Sequence, residues 1–164
     1  MAQNNKERSK RSSDSEISMT ELVIPNDANI LGNVLGGKVM HWIDLAAATA
    51  AHRHCNSICV TASLDRLSFL NPIKLGHLAH LKARVVCVGN TSIVVKVDVH
   101  SENMDTDEIK QTSEAYLTFV SLGDDGKPRR VPRLILDSDE EKAECEKAMA
   151  FKKKILEVKK QENN

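Results

Sequence analysis

The chain has 164 residues, and its 23 lysines and arginines balance its 23 aspartates and glutamates, so its formal net charge is zero. This balance argues against a general nucleic-acid-binding protein, which usually carries a basic excess. An aromatic content of 3% also argues against base-stacking surfaces. The length suits one ordinary domain, and no apolar run reaches the roughly 18 residues that would span a bilayer. We therefore expect neither a nucleic acid nor a membrane as partner.

The N-terminal segment, residues 1–16, is polar and contains almost nothing to bury. This composition predicts a disordered tail. The segment also lacks the apolar stretch of a secretory signal peptide, so we expect a cytoplasmic location.

The four cysteines, Cys55, Cys59, Cys87 and Cys145, show neither metal-binding nor redox spacing. We expect them to be free thiols in a reducing compartment. The spacing of the histidines predicts no metal site either, because His52 and His54 are two apart and point to different sides of a helix.

The segment from Pro25 to Cys55 organises the chain. Before it, residues 17–24 alternate and predict a first strand that ends at Pro25. Gly36 and Gly37 allow a sharp bend. From Lys38 onward the pattern predicts a long helix that frays near residues 52–56. Its broad apolar face is rich in alanine, which lets another backbone approach closely, and comprises Val39, Met40, Ile43, Ala46, Ala47, Ala50 and Ala51.

Four strands are predicted after this helix, over residues 58–69, 78–88, 91–102 and 109–122. Gly89-Asn90 is typical of a hairpin turn. Residues 137–161 are dense in glutamate and lysine and predict a final helix, with Ser138 and Glu141 as its capping box. The pattern indicates an α+β domain over residues 17–136 with an antiparallel sheet, followed by a charged helix and tail over residues 137–164. The exposed edges of a single sheet favour pairing with a second subunit.

Asp44 is the one acidic residue in the apolar helix. Burial of a carboxylate is costly unless it has partners or a task. Its uncharged neighbours Met40, Ala47 and Ala48 weaken the alternative, an aspartate that faces solvent. At the start of the helix, backbone N–H groups lack partners and could stabilise an oxyanion close to Gly36 and Gly37. A turn that needs glycine for its shape alone is equally compatible with the sequence.

Five segments together are similar to a known family. In chain order they read D-A-N-I-L-G-N-V-L-G-G-K-V-M-H-W-I-D, R-H-C, V-T-A-S-L-D-R-L-S-F-L-N-P-I-K-L-G, V-G-N-T-S-I-V-V-K-V and Y-L-T-F-V-S-L-G-D-D-G-K-P. In this order they resemble acyl-CoA thioester hydrolases of the hotdog fold, and more narrowly the cytosolic acyl-CoA hydrolase group with its single-domain bacterial relatives. The resemblance runs from about Met19 into the C-terminal helix. It implies a long central helix wrapped by a curved antiparallel sheet.

The resemblance also implies the reaction, the hydrolysis of fatty acyl-CoA to fatty acid and coenzyme A without metal or cofactor. It implies dimers that share one continuous sheet, hexamers made of dimers, and active sites between subunits. By the same resemblance Asp44 is the general base or the nucleophile, and Gly36 and Gly37 contribute backbone donors. Asn29 acts with Asp44 from the neighbouring subunit, although a turn asparagine is the commoner use of this residue.

The resemblance places the coenzyme A site at the turn Gly89, Asn90, Thr91 and Ser92, where a bare hairpin is the alternative. Basic residues are needed for the phosphates. The basic candidates, all weaker than the turn, are Arg66, Lys96, Arg129 and Arg130. For Arg129 and Arg130, which lie in an extended segment, plain solvation is the alternative.

Two other functions stay open. A hotdog dehydratase acting on hydroxyacyl thioesters would need a histidine beside the carboxylate, and His41 is near Asp44 in sequence. A regulatory protein that binds acyl-CoA without cleaving it would not need a buried carboxylate. The sequence contains no G-x-S-x-G motif, which excludes the α/β-hydrolase route to thioester cleavage.

Overall fold

The computed structural model describes residues 9–163 of the chain. Its elements in chain order are β1 (Ser9–Arg11), α1 (Ser12–Ser15), β2 (Ile17–Leu22), a short 3-10 helix (Pro25–Asp27), α2 (Gly36–Cys55), β3 (Cys59–Phe69), β4 (Leu78–Val88), β5 (Ser92–Asn103), β6 (Glu108–Ser121), β7 (Arg133–Ile135) and α3 (Asp139–Glu162).

The main sheet has five strands in the order β2-β4-β5-β6-β3, and all neighbours are antiparallel. β1 and β7 form a separate parallel pair. Bulges interrupt β3, β4 and β6, and bulges bend a strand and increase its twist. The predicted α+β architecture, with one long helix, one antiparallel sheet and a C-terminal helix, is confirmed.

Helix α2 packs its alanine face directly on the sheet. Ala46, Ala47, Ala50 and Ala51 are completely buried, and Ile43 is almost so. The sheet meets them with alternating apolar residues such as Val95, Val97 and Val99 on β5, and Ala115, Leu117 and Phe119 on β6. The small side chains let the helix lie close to this surface, as the composition predicts. The helix begins earlier than predicted, so Gly36 and Gly37 are its first two residues.

Residues 9–16 of the N-terminal segment are ordered. Lys10 Nζ donates hydrogen bonds to Arg53 O at 2.6 Å and Asn56 Oδ1 at 2.6 Å, at the C-terminal end of α2. Ser12 Oγ donates to Val85 O at 2.8 Å. The prediction of a disordered tail is therefore wrong for residues 9–16, and residues 1–8 lie outside the described part. The prediction rested on the small number of apolar side chains in this segment. Polar contacts hold it instead, because the Lys10 ammonium bonds to oxygen atoms at the C-terminal end of α2.

The prediction of four free thiols is wrong for two cysteines. Cys87 on β4 and Cys145 on α3 form a disulfide across a sequence separation of 58 residues. No local spacing of cysteines predicts this pair, because only the packing of α3 on the sheet brings the two residues together. Cys55 and Cys59 are free, as predicted.

Helix α3 covers the outer face of the sheet, the face opposite α2. Tyr116 is completely buried beneath it, its hydroxyl donates to the Glu144 carboxylate, and its ring meets the Phe151 ring edge-on at 5.0 Å. Burial and the bond to Glu144 raise the pKa of Tyr116 far above its ordinary value. The predicted capping box is confirmed, since Ser138 and Glu141 each bond the other's backbone. Neither α2 nor α3 is long and apolar enough to cross a membrane, and the same holds for every other helix in residues 9–163.

Candidate active site

Asp44 lies on the exposed side of α2, away from the core. Its Oδ1 accepts a hydrogen bond of 2.8 Å from Thr61 Oγ1 on β3. The expectation of a buried carboxylate is wrong for the single chain, because α2 turns its alanine face, not this face, toward the sheet. Sequence reasoning missed Thr61. A bulge follows Thr61 in β3, so the regular alternation of a strand does not predict which way its side chain points.

The surface around Asp44 is apolar although it is exposed. On α2, Leu45 is 48% exposed and Met40 is 42% exposed, which corrects the placement of Met40 on the buried face. β3 is an edge strand of the sheet and exposes Val60 and Leu64. We call these four residues the apolar surface. Exposed apolar groups of this kind beside an unpaired strand edge are typical of a protein–protein interface.

The first turn of α2 presents unsatisfied backbone donors. Leu35 occupies the N-cap position, and its side chain cannot accept a hydrogen bond. Within the part of the chain that the structure covers, the N–H groups of Gly36 and Gly37 have no acceptor. Both glycines are exposed, and a Cβ at Gly37 would meet nothing within 4 Å. The positive end of the helix dipole therefore faces open space with two free donors.

Buried Asp27 holds the loop before α2 in place. Its carboxylate pairs with Lys38 Nζ at 3.2 Å, and its carbonyl accepts from Leu35 N at 2.8 Å. The Lys38 ammonium also lies 5.6 Å from the centroid of the Trp42 ring. The sequence motifs do not single out Asp27. An acidic side chain close to a helix start with lysine in the first turn is the signal that could have revealed it.

Asn29 shapes the loop in the single chain. Its Oδ1 accepts hydrogen bonds from Leu31 N at 2.9 Å and Asn33 N at 3.2 Å, which is the turn role that the sequence left open. Asn29 is exposed, and its side-chain NH₂ has no partner among residues 9–163. No hydrogen bond joins it to Asp44 within the described chain. A single subunit thus leaves the amide donor of Asn29 available.

A cavity of about 290 Å³ adjoins the start of α2. Its lining is mainly apolar and includes Gly36, Val39, Phe69, Pro72 and Ser113. The Phe69 ring lies 3.7 Å from the place that a Cβ on Gly36 would occupy. An apolar chain can therefore lie beside the free N–H groups of the helix.

The turn between β4 and β5 is the predicted hairpin. Gly89 N donates to Ser92 O at 2.8 Å. The carbonyl oxygens of Asn90 and Thr91 accept from Val131 N and Ser121 N, each at 2.9 Å. Lys152 Nζ, from α3, donates to Ser92 Oγ at 2.6 Å. The sequence did not point to Lys152, since it lies 60 residues further along the chain.

Two of the basic candidates, Lys96 and Arg66, contact residues of α3. Lys96 is buried, and its Nζ lies 3.6 Å from Asp98, 3.3 Å from Glu114 and 3.5 Å from Glu144. Burial lowers the pKa of Lys96, but the three carboxylates outweigh it and raise the pKa overall. The Arg66 guanidinium stacks over the Phe151 ring at 4.9 Å. Both cations therefore already have partners within the chain. Arg129 and Arg130 are exposed in the segment before β7.

The histidines do not join the carboxylate. His54 is completely buried, its Nε2 lies 3.1 Å from Pro132 O, and burial lowers its pKa. His41 is exposed and forms no hydrogen bond with Asp44 in residues 9–163. In the same range no group of three histidine, cysteine or acidic side chains could hold a metal ion.

Comparison with known proteins gives a consistent result. Residues 31–108 match the family model of the thioesterase superfamily. An uncharacterised acyl-CoA thioester hydrolase of Bacillus subtilis, YkhA, is 39% identical over 128 residues, which cover 78% of this chain and 74% of the relative. The human cytosolic acyl coenzyme A thioester hydrolase is 36% identical over 75% of this chain, but the match covers only 34% of that longer protein.

Solved structures agree. A hexameric acyl-CoA thioesterase without ligand is 40% identical, covers 90% of this chain and 94% of its own, and has a TM-score of 0.85. An acyl-CoA hydrolase of Staphylococcus aureus, solved with butyryl-coenzyme A, coenzyme A and coenzyme A disulfide, is 32% identical over 95% of this chain and 96% of its own, with a TM-score of 0.86. Variants of that enzyme with alanine in place of an aspartate, a threonine or an asparagine were also solved. The resemblance drawn from the sequence motifs is confirmed.

Proposed function

The chain belongs to the thioesterase superfamily, and from this membership we infer that it hydrolyses fatty acyl-CoA thioesters to fatty acid and coenzyme A. The observation that carries the proposal is the pairing of two features. Asp44 is held by Thr61 on the open face of α2, and the same helix begins with two free N–H groups. A base or nucleophile and an oxyanion site are the two parts that thioester hydrolysis needs.

The active site, in this proposal, is completed by a second subunit. The apolar surface around Asp44 would be covered by a partner, which removes the carboxylate from bulk water. The free amide of Asn29 would reach Asp44 of the other subunit rather than its own. Assembly of such dimers into a hexamer is supported by the hexameric relative. We also propose a cytoplasmic location, supported by relatives that are named cytosolic.

The proposed reaction proceeds in two stages. Asp44 takes a proton from a water whose oxygen attacks the thioester carbonyl, or its carboxylate attacks directly and the resulting anhydride is then hydrolysed. The tetrahedral oxyanion accepts hydrogen bonds from Gly36 and Gly37 N–H of the other subunit, because Gly37 and Asp44 of one helix lie seven residues, or about 10 Å, apart. When it collapses, the carbon–sulfur bond breaks and the coenzyme A thiolate leaves and takes up a proton. Thr61 would keep the carboxylate oriented.

Three residues of the Staphylococcus aureus enzyme support this assignment. The asparagine, aspartate and threonine that were replaced there are of the same types, in the same order and with the same separations, as Asn29, Asp44 and Thr61. We therefore add Thr61 to the proposed site as the residue that orients Asp44. The acyl chain would occupy the cavity beside Gly36, and the phosphates of coenzyme A would lie at the Gly89–Ser92 turn.

The proposal is tested by measuring free-thiol release from a series of acyl-CoA substrates of increasing chain length. Release with matching formation of fatty acid supports a thioesterase. Tight binding of acyl-CoA without release would favour the regulatory protein. Hydration of an enoyl-CoA without thiol release would favour the dehydratase.

Replacing Gly37 with alanine separates the two uses of the glycine pair. Because a Cβ there meets nothing within 4 Å and the residue is helical, we expect the free energy of unfolding to rise by about 0.5 kcal/mol. The same methyl group would obstruct the thioester, so we expect kcat/KM to fall at least about tenfold, or about 1.4 kcal/mol in transition-state stabilisation. Urea unfolding and the thiol-release assay measure the two effects. Unchanged kcat/KM would mean that the glycines serve the turn alone.

A further inference from the structure

Lys152 is a cation without a carboxylate partner at the turn between β4 and β5. Its half-buried side chain donates to Ser92 Oγ at 2.6 Å, and no acidic group pairs with it within residues 9–163. Two nearby lysines differ, because Lys96 on β5 has three carboxylate neighbours and the Nζ of Lys147 on α3 lies 3.8 Å from Glu114. The positive charge of Lys152 is therefore not balanced by the protein around it.

The turn beside Lys152 offers further donors. The N–H groups of Asn90 and Thr91 have no acceptor in the described chain, while the carbonyl oxygens of both residues are already bonded to Val131 and Ser121. Successive free N–H groups in a turn form a concavity that suits an anion. The Ser92 hydroxyl and the Lys152 ammonium complete a set of donors with no negative charge among them.

The position of Lys152 is built into the fold. The ring of the adjacent Phe151 contacts the Tyr116 ring and the Arg66 guanidinium. Ala148, one helical turn before Lys152, is completely buried. A Cβ on Gly89 would lie 2.8 Å from Ser92 Oγ and 4.0 Å from Lys152 Nζ. Glycine at this position thus makes room for the contact between Ser92 and Lys152.

We propose that Lys152 is a phosphate-binding residue of the substrate site, where it and the N–H groups of Asn90 and Thr91 bind a phosphate group of coenzyme A. The inference rests on the proposed function, because it takes the ligand to be the coenzyme A part of an acyl-CoA. It replaces Lys96 and Arg66 with a residue from α3. It also gives α3 a role in substrate binding besides covering the sheet.

The test compares Lys152→Ala with a matched control, Lys153→Ala, in the full-length chain. Lys153 is adjacent on the same helix, exposed and remote from the turn contacts. Each variant is assayed with an acyl-CoA and with the same acyl group on pantetheine, which has no phosphates. We expect Lys152→Ala to raise KM for acyl-CoA at least about tenfold with kcat unchanged, since hydrogen bonds to charged groups are strong. KM for acyl-pantetheine should not change, and Lys152→Arg should retain most of the binding.

Several outcomes would overturn the proposal. These are an equal loss on both substrates, no loss on acyl-CoA, or an equal loss in the control variant. Coenzyme A binding, measured by calorimetry, separates this inference from the reaction. If the wild type binds coenzyme A in a way that depends on Lys152 but releases no thiol, the phosphate site stands and the thioesterase proposal fails. If the wild type binds no coenzyme A, the phosphate site is wrong.

Discussion

Replacing Asp44 with asparagine is expected to lower kcat by at least about a hundredfold, the lower range for a general base. The amide oxygen can still accept the hydrogen bond from Thr61 Oγ1, so the geometry of the side chain is preserved. The amide cannot take up a proton or act as a carboxylate nucleophile, so only the chemical step is removed. Thiol release under saturating acyl-CoA measures the effect.

Thr61→Val provides the graded comparison for Asp44→Asn. It removes the one hydrogen bond that the carboxylate accepts among residues 9–163 and retains the carboxylate itself. We expect a loss of about tenfold, because an orienting hydrogen bond contributes on the order of 1 kcal/mol. Light scattering should show the wild-type assembly for both variants. If Asp44→Asn retains wild-type kcat in an intact assembly, Asp44 is not the catalytic group.

Replacing Leu45 with glutamate is expected to break the assembly and abolish thiol release. Leu45 is 48% exposed in one subunit, so a charged side chain costs the single chain little. In the proposed dimer the glutamate would be buried beside Asp44 without a partner cation, which costs several kcal/mol. Sedimentation would then show single subunits at concentrations where the wild type is assembled.

The matched control for Leu45→Glu is Val158→Glu. Val158 is 51% exposed on α3, remote in sequence from the apolar surface. It should leave the assembly and thiol release unchanged. An active single subunit of Leu45→Glu would show that one chain holds a complete site, and the proposal of a shared site would be wrong. Activity of the wild type should also fall on dilution below the dissociation constant of the dimer.

Local patterns in the sequence determined the elements of the fold. The range predicted for β4 is the observed one, the hairpin turn falls at Gly89, and Ser138 and Glu141 cap α3. These features depend on residues a few positions apart, where periodicity, turn preference and capping act directly. The alanine face of α2 was predictable for the same reason. The family motifs then indicated Asn29, Gly36, Gly37 and Asp44 together.

Only the tertiary structure decided which side chains these elements bring together. Asp44 meets Thr61 because a bulged strand passes beside the exposed face of α2, and Cys87 meets Cys145 because α3 lies on the sheet. Packing of α3 also buries Lys96 among carboxylates and brings Lys152 to the Ser92 hydroxyl. These contacts join residues 17 to 60 positions apart in the chain. Local preference does not specify such pairs, because they exist only after the buried apolar faces have oriented the helices on the sheet.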